Sequence, residues 1–253
     1  MTKPANANDA AIWTPDRLRD PHNVPDKPQR VREMFSRIAG HYDRANRVNS
    51  LGRDQAWRRL AVRAAGVAPT DRVLDVACGT GDLAGAFWRA GTKDVTGLDF
   101  VPDMLAVAGR KFAHAPIQWV AGDAMELPFE DASFDIVSIG FGLRNLADTA
   151  RGLGEFHRVL RPGGRLVVLE FARPGGMILG ALGRFFIRRV VPVAGAIITG
   201  DRDGAYRYLA ASVDQYFTFA QLRALMAQAG FADVRTAETM AMGAVGVHVG
   251  VRP

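Results

Sequence analysis

Val73-Leu74-Asp75-Val76-Ala77-Cys78-Gly79-Thr80-Gly81-Asp82-Leu83 is the stretch whose reading decides the fold. An apolar run with one carboxylate inside it meets two glycines, and beyond them the apolar spacing turns helical. That order predicts a strand, a tight turn and a helix, the turn of a nucleotide-type binding site. Glycine suits such a turn because it adopts φ > 0 and lets a ligand approach where a Cβ would stand.

Outward from this turn, strand and helix alternate. Short apolar, β-branched runs at residues 72–77, 94–99, 117–121, 134–139 and 165–171 predict five strands. Helices are expected at 82–90, closed by Gly91, at 104–112 with Pro102 as a first helical residue, and at 147–160 before the turn Arg161-Pro162-Gly163-Gly164. Two further strands, about 233–236 and 244–251, complete seven, with a helix between Thr218 and Ala229 opened by the capping box Thr218…Gln221. The expected architecture is therefore α/β and Rossmann-like: a seven-stranded, mostly parallel sheet with helices on both faces.

The flanks read differently. Residues 1–28 carry five prolines without a sustained period and predict an irregular N-terminal arm. Residues 29–253 are expected to form one domain, in which Val31, Met34, Phe35 and Ile38 share a helical face ahead of the sheet. A lid insertion is expected at about 174–217, after the fifth strand. Its stretch 177–198 is apolar but broken by Arg184, Arg188, Arg189 and Pro192, which argues for a lid, a membrane-surface element or a buried helix pair rather than a spanning helix.

Composition narrows the class. With 253 residues, 48% hydrophobic and 23% charged, the chain can bury a full core. The single cysteine, Cys78, leaves no intramolecular disulfide framework and fits a reducing compartment; no hydrophobic signal core follows Met1. A cytoplasmic location is expected. The net charge of +6 raises nucleic acid or an anionic membrane as partners, but the arginines are scattered without interleaved aromatics, so no nucleic-acid partner is expected.

Gly79-x-Gly81-x-x-Ala84 also satisfies the dinucleotide pattern, and Asp99, 18 residues beyond Gly81, can accept hydrogen bonds from ribose hydroxyls in either kind of site. Such charge-assisted bonds contribute about 1.5–3 kcal/mol each. Asp75 is the discriminating residue at this level, because a carboxylate beside a diphosphate is repulsive whereas a sulfonium and an ammonium group welcome one. That points to S-adenosyl-L-methionine. Gly122-Asp123-Ala124 after the third strand adds a carboxylate and a backbone amide suited to an adenine edge.

Taken in order, Asp75-x-x-x-Gly79-x-Gly81, Asp99, Gly122-Asp123-Ala124 and Leu160-Arg161-Pro162-Gly163-Gly164 resemble the motifs of class I S-adenosylmethionine-dependent methyltransferases. Tyr42-Asp43, Asn46, Ser50, Asp54 and Trp57 are similar to the N-terminal signature of the ubiquinone/menaquinone biosynthesis C-methyltransferases. So are Phe141-Gly142-Leu143-Arg144-Asn145, the block from Arg158 to Glu170, and Ala205-Tyr206-Arg207-Tyr208-Leu209 with Ser212. The resemblance runs from about Val31 to Val251. Gly140, Ala172 and Ala210 depart from the serine, serine and proline frequent there.

The resemblance implies methylation of a ring carbon on a prenylated quinol, demethylmenaquinol or the equivalent ubiquinone precursor. It implies cofactor contacts at Asp75, Gly79, Thr80, Gly81, Asp99, Phe100, Met104, Asp123, Ala124 and Gly140, the last through backbone alone. Arg144 is the expected stabiliser of a developing phenolate, because a guanidinium stays protonated and serves poorly as a base. Asn145 would position the ring or its loop, and Tyr42 would close over the cofactor or bond the substrate. His41 and Asp43 are open candidates for an acid or base, Cys78 is a small wall residue, and the histidines show no metal-ligand spacing. A prenyl tail implies peripheral contact with the inner face of a membrane, and a homodimer is admitted without being specified. Three other readings stay open: transfer to another small aromatic, sterol or polyketide, a non-catalytic cofactor-binding protein, and an NAD-dependent oxidoreductase.

Overall fold

The computed structural model describes residues 12–173 and 204–253. Seven strands form one sheet in the order β3-β2-β1-β4-β5-β7-β6. They are β1 Arg72–Val76, β2 Asp94–Asp99, β3 Ile117–Ala121, β4 Phe134–Gly140, β5 Leu160–Phe171, β6 Ala232–Met240 and β7 Val245–Val251. Only β7 runs against its neighbours, pairing antiparallel with β5 and β6. The order reverses between β1 and β4, which places a crevice at the carboxyl ends of those two strands.

Alternation along the strands explains why both faces are covered. Val73, Ile136, Val167 and Leu169 point into one core with helices α3 (Asp54–Ala65) and α4 (Asp82–Arg89). Leu74, Val76, Val137, Ile139, Leu166 and Val168 point into the other, with α6 (Thr149–Val159) and α8 (Phe219–Gln228). Period two within a strand buried on both faces yields the continuous apolar runs read from the sequence. Helix α5 (Pro102–Lys111) opens on proline as expected, and the capping box of Thr218 with Gln221 forms.

Three boundaries move. β5 begins at Leu160 rather than Arg165, because Phe134 pairs with Leu160 and Ile136 with Arg165, so residues 161–164 bulge out between two paired positions. Gly163 there has φ +77° and donates its N–H to the Arg252 carbonyl at 2.8 Å, joining the bulge to the C-terminal chain. β6 extends to Met240 by pairing with β7 through two irregularities. Helix α1 (Lys27–Ile38) starts inside the segment expected to be irregular, with Pro28 in its first turn.

The N-terminal residues are packed despite their irregular path. Trp13 is fully buried and stacks on Tyr208 of α7 (Ala205–Asp214), ring centroids 4.1 Å apart. Ile12, Val31, Met34 and Ala45 share that cluster, which binds the arm, α1 and α2 (Tyr42–Asn49) to α7. Truncating a buried tryptophan of this kind costs about 3–5 kcal/mol. The expected lid and surface stretch at 174–203 lies outside the described residues; residues 204–217 of that segment are described and include α7.

Candidate active site

At the crevice, the ends of four strands surround a cavity of about 760 Å³ including its mouth. Gly79, Asp99, Phe100, Met104, Asp123, Ala124 and Gly140 line it, as does Asn145, while Pro28, Val31 and Phe35 of α1 form a roof. Asp99 ends β2, and its carboxylate accepts the Gly79 N–H at 2.7 Å and the Val101 N–H at 2.8 Å. One side chain thereby fixes the glycine turn to the next loop and still has lone pairs for a ligand. Burial raises its pKa, which the bonds from the Val101 and Gly79 N–H groups oppose. Asp123 accepts the Met125 N–H at 2.8 Å and shapes the third loop. Gly140 lines the cavity, and a Cβ there would stand 3.1 Å from Leu83 Cδ2 of α4.

Two carboxylates line this cavity, and none of its described lining residues is a lysine or arginine. A diphosphate would meet uncompensated negative charge; a sulfonium and an ammonium would meet partners. The cofactor preference thus rests on Asp99 and Asp123, and Asp75 must be reassigned. Asp75 lies between Gly97 and Ser138 in the sheet register and is 1% exposed. Its carboxylate accepts from Ser138 Oγ at 2.7 Å and from the Ala84 N–H at 2.9 Å, a first-turn donor of α4. It braces the turn from beneath and does not line the cavity. Burial lifts its pKa to about 7 against those two bonds.

Thr80 and Gly81 need the same correction. Thr80 is 2% exposed and donates its hydroxyl to Asp43 at 2.5 Å. Asp43 and Asp82 both take Lys111 Nζ at 2.6 Å, so the acid once open as a proton carrier is a tie between α2, α4 and α5. Gly81 has φ +81°, and a Cβ there would sit 2.4 Å from the Trp119 ring; its glycine serves packing and the turn, not ligand approach. Gly79, φ +56°, does face the cavity, with only Tyr42 Cε1 near a would-be Cβ at 3.8 Å. Cys78 is buried, and burial followed by the charges of Asp99 and Asp75 raises its thiol well above the usual range, so it is inert wall.

A second cavity, about 1780 Å³ including its mouth, adjoins the first. Phe35, Tyr42 and Phe141 line both and form the partition. Phe141 holds φ +60°, a left-handed conformation costly for a bulky residue, and its N–H is fixed to the Leu169 carbonyl at 2.7 Å. Its ring lies 4.8 Å from that of Phe171. The Tyr42 hydroxyl has its pKa raised by burial, against a hydrogen bond with Asn46, and stays a donor.

Arg144 lines the larger cavity on a short 3-10 turn, Leu143–Asn145, just after β4. It is 5% exposed, pairs with Glu170 at 2.6 Å and donates to the Phe141 carbonyl at 2.6 Å, while its Nε has no partner. Asn145 donates to the same carbonyl at 3.3 Å and accepts from Tyr208 OH at 3.1 Å. Lys27, 3% exposed, donates to the carbonyls of Leu146 at 2.6 Å and Arg144 at 3.1 Å. Burial and then the charge of Arg144 bring its pKa down to about 8.

Glu170, Lys27 and Asn49 carry no expected role from sequence alone. Glu170 could have been singled out as one charge closing an apolar run, Val167-Val168-Leu169. Lys27 and Asn49 gave no local signal, because their partners or cavity arise only when distant segments meet.

The chain matches the model of the ubiE/COQ5 methyltransferase family over residues 24–252. A demethylmenaquinone methyltransferase of Thermus thermophilus is 48% identical over 224 residues, 87% of this chain and 100% of that protein. A ubiquinone/menaquinone biosynthesis C-methyltransferase of Desulfotalea psychrophila is 41% identical over 223 residues, 88% of this chain and 90% of its own length. Among solved structures, a SAM-dependent methyltransferase from Thermotoga maritima superposes with a TM-score of 0.64 at 22% identity, covering 88% of this chain and 99% of that one, a likeness of fold.

Proposed function

The chain belongs to the ubiE/COQ5 methyltransferase family and is an S-adenosylmethionine-dependent C-methyltransferase of quinone biosynthesis; from that premise we propose that it methylates demethylmenaquinol or the equivalent ubiquinone precursor where its two cavities meet. The observation that carries the proposal is the shared wall of Phe35, Tyr42 and Phe141, with an acidic cavity on one side and a larger, mainly apolar one on the other.

S-adenosylmethionine supplies an electrophilic methyl group. The residues around the smaller cavity suit it: Asp99 offers a carboxylate for ribose hydroxyls, Gly79 an open backbone, Asp123 and Ala124 a polar edge for adenine, and Phe100 and Met104 apolar walls. In the larger cavity, Arg144 presents a fixed cation to a ring oxygen and stabilises the negative charge that develops there when the ring proton passes to solvent water, which raises electron density on the neighbouring carbon. Glu170 holds that guanidinium in place and sets its orientation, Asn145 carries the loop between the cavities, and Tyr42 positions the ring against the partition.

The test is incubation with labelled cofactor and either demethylmenaquinol or the benzoquinol precursor, side by side. Mass spectrometry is expected to show a gain of one methylene on the ring; no gain with either would refute the proposal.

A prenyl tail partitions into lipid, so we extend the proposal to peripheral contact with an anionic membrane surface. Among the described residues no helix is long and apolar enough to cross a membrane. Leu51, 77% exposed, lines the larger cavity at its outer side and gives a tail an apolar exit. Co-sedimentation with liposomes that ignores both anionic lipid and Leu51→Asp would reject that contact.

A further inference from the structure

The 3-10 turn Leu143–Asn145 is held by two buried charges of opposite sign. Glu170 of β5, 0% exposed, accepts the Arg144 N–H at 3.2 Å as well as the guanidinium. Lys27, the first residue of α1, takes the other end of the same residue: its Nζ donates to the Arg144 carbonyl at 3.1 Å and to the Leu146 carbonyl at 2.6 Å. The backbone that carries Arg144 is thus gripped at its N–H by a carboxylate and at its C=O by an ammonium group. Charge-assisted bonds of this kind are about twice as strong as neutral ones.

A neutral donor could tie two loops with less desolvation. Among the described residues no carboxylate pairs with Lys27, and Arg144 repels it, so burying this ammonium opposes folding. Lys27 lines neither cavity and therefore touches neither cofactor nor substrate. Its neighbours on α1, Pro28, Val31 and Phe35, roof the smaller cavity, while the turn it grips places Arg144 in the wall of the larger one. One side chain joins the two.

We propose that Lys27 is a positioning residue for methyl transfer, holding the Leu143–Asn145 turn, and with it Arg144, in register with the roof over the cofactor. This rests on the role given to Arg144 above and deepens it. A cation stabilises developing charge most when it is oriented before that charge appears, and a misplacement of about 1 Å can lower a rate about 10²-fold. Glu170 fixes Arg144 toward the sheet; Lys27 fixes it toward α1, the element that covers the methyl donor.

Lys27→Met keeps the length of the side chain and removes its charge and donors. Turnover of the prenylated quinol is expected to fall about ten-fold, the loss of roughly one hydrogen bond. The Michaelis constant for quinol and the dissociation constant for S-adenosylmethionine should stay near wild type, and amide hydrogen exchange should quicken at residues 143–146 but not in the sheet. A double-mutant cycle separates positioning from a general structural role. Arg144→Lys alone should lower turnover about 10²-fold, and adding Lys27→Met should cause little further loss, because both changes act through one guanidinium. Losses that multiply to about 10³-fold would overturn the inference. So would unchanged turnover in Lys27→Met, or a Lys27→Met protein that no longer folds or binds the cofactor. If Arg144→Lys alone leaves turnover unchanged, the role of Arg144 fails and this inference with it; if Arg144→Lys has its full effect and Lys27→Met none, the inference alone fails.

Discussion

Asp75→Asn is expected to stabilise the protein by about 3 kcal/mol more at pH 8 than at pH 5. In the folded chain the carboxyl is 1% exposed and holds its proton to about pH 7, whereas an unfolded aspartate releases it near 3.8. A carboxyl raised in this way contributes stability that is fully present below the unfolded value and is lost as pH climbs through the folded one. From pH 5 to the folded pKa of about 7 is roughly two units, each worth about 1.4 kcal/mol, so the wild type loses about 3 kcal/mol through this residue in that window. Asparagine carries no charge to bury, and its amide can accept the Ala84 N–H as Asp75 does and meet Ser138 Oγ with the direction reversed, the amide NH2 donating where the Asp75 carboxylate accepts. Denaturant unfolding of both proteins at several pH values between 5 and 8 measures the difference, in which the buried histidines cancel because both proteins carry them. Parallel stability curves would refute the argument that Asp75 sits in a low-dielectric brace beneath the turn.

Arg144→Lys keeps a cation beside Glu170 but loses the planar fork; turnover should fall by about 10²-fold with little change in cofactor affinity, and an equal loss in both would remove Arg144 from the chemistry. Asp99→Ala removes the acceptor of the Gly79 and Val101 N–H groups together with a proposed ribose contact, so calorimetry should show cofactor binding weakened by about 10²-fold or more, the value of two charge-assisted bonds. Unchanged binding would exclude Asp99 from the cofactor site. Gly81→Ala drives a methyl group into Trp119 at a positive φ and should lower stability by about 2 kcal/mol or more; a melting temperature equal to wild type would contradict the packing role given to that glycine.

The sheet was legible because its strands are short, apolar and separated by turn residues, a signal local to each segment. Asp99 was legible for the same reason: it ends a strand beside a glycine turn. Asp75 misled because its role depends on register. Only the pairing with Gly97 on one side and Ser138 on the other shows that its carboxylate has a partner in the core and a helix end to hold. Thr80 and Gly81 misled similarly, since Asp43 and Trp119 reach them from 37 and 38 residues away in sequence. The cofactor preference survived this exchange of residues, because Asp99 and Asp123 supply the negative charge that Asp75 was expected to provide. The larger cavity was not legible at all: its wall draws on α2, α3, the ends of β4 and β5, and α7, and no single stretch contains enough of it to be noticed.

The stack of Trp13 on Tyr208 also sets an order of events during synthesis. The two residues stand 195 positions apart, and through Tyr208 the contact reaches Asn145 at the partition between the cavities. The arm is made first but can stack on Tyr208 only after Tyr208 has left the ribosome, when β1 to β5 have already emerged. Until then Trp13 lacks the ring it stacks on, while α1 can already tie to the loop after β4 through Lys27 and the Leu146 carbonyl.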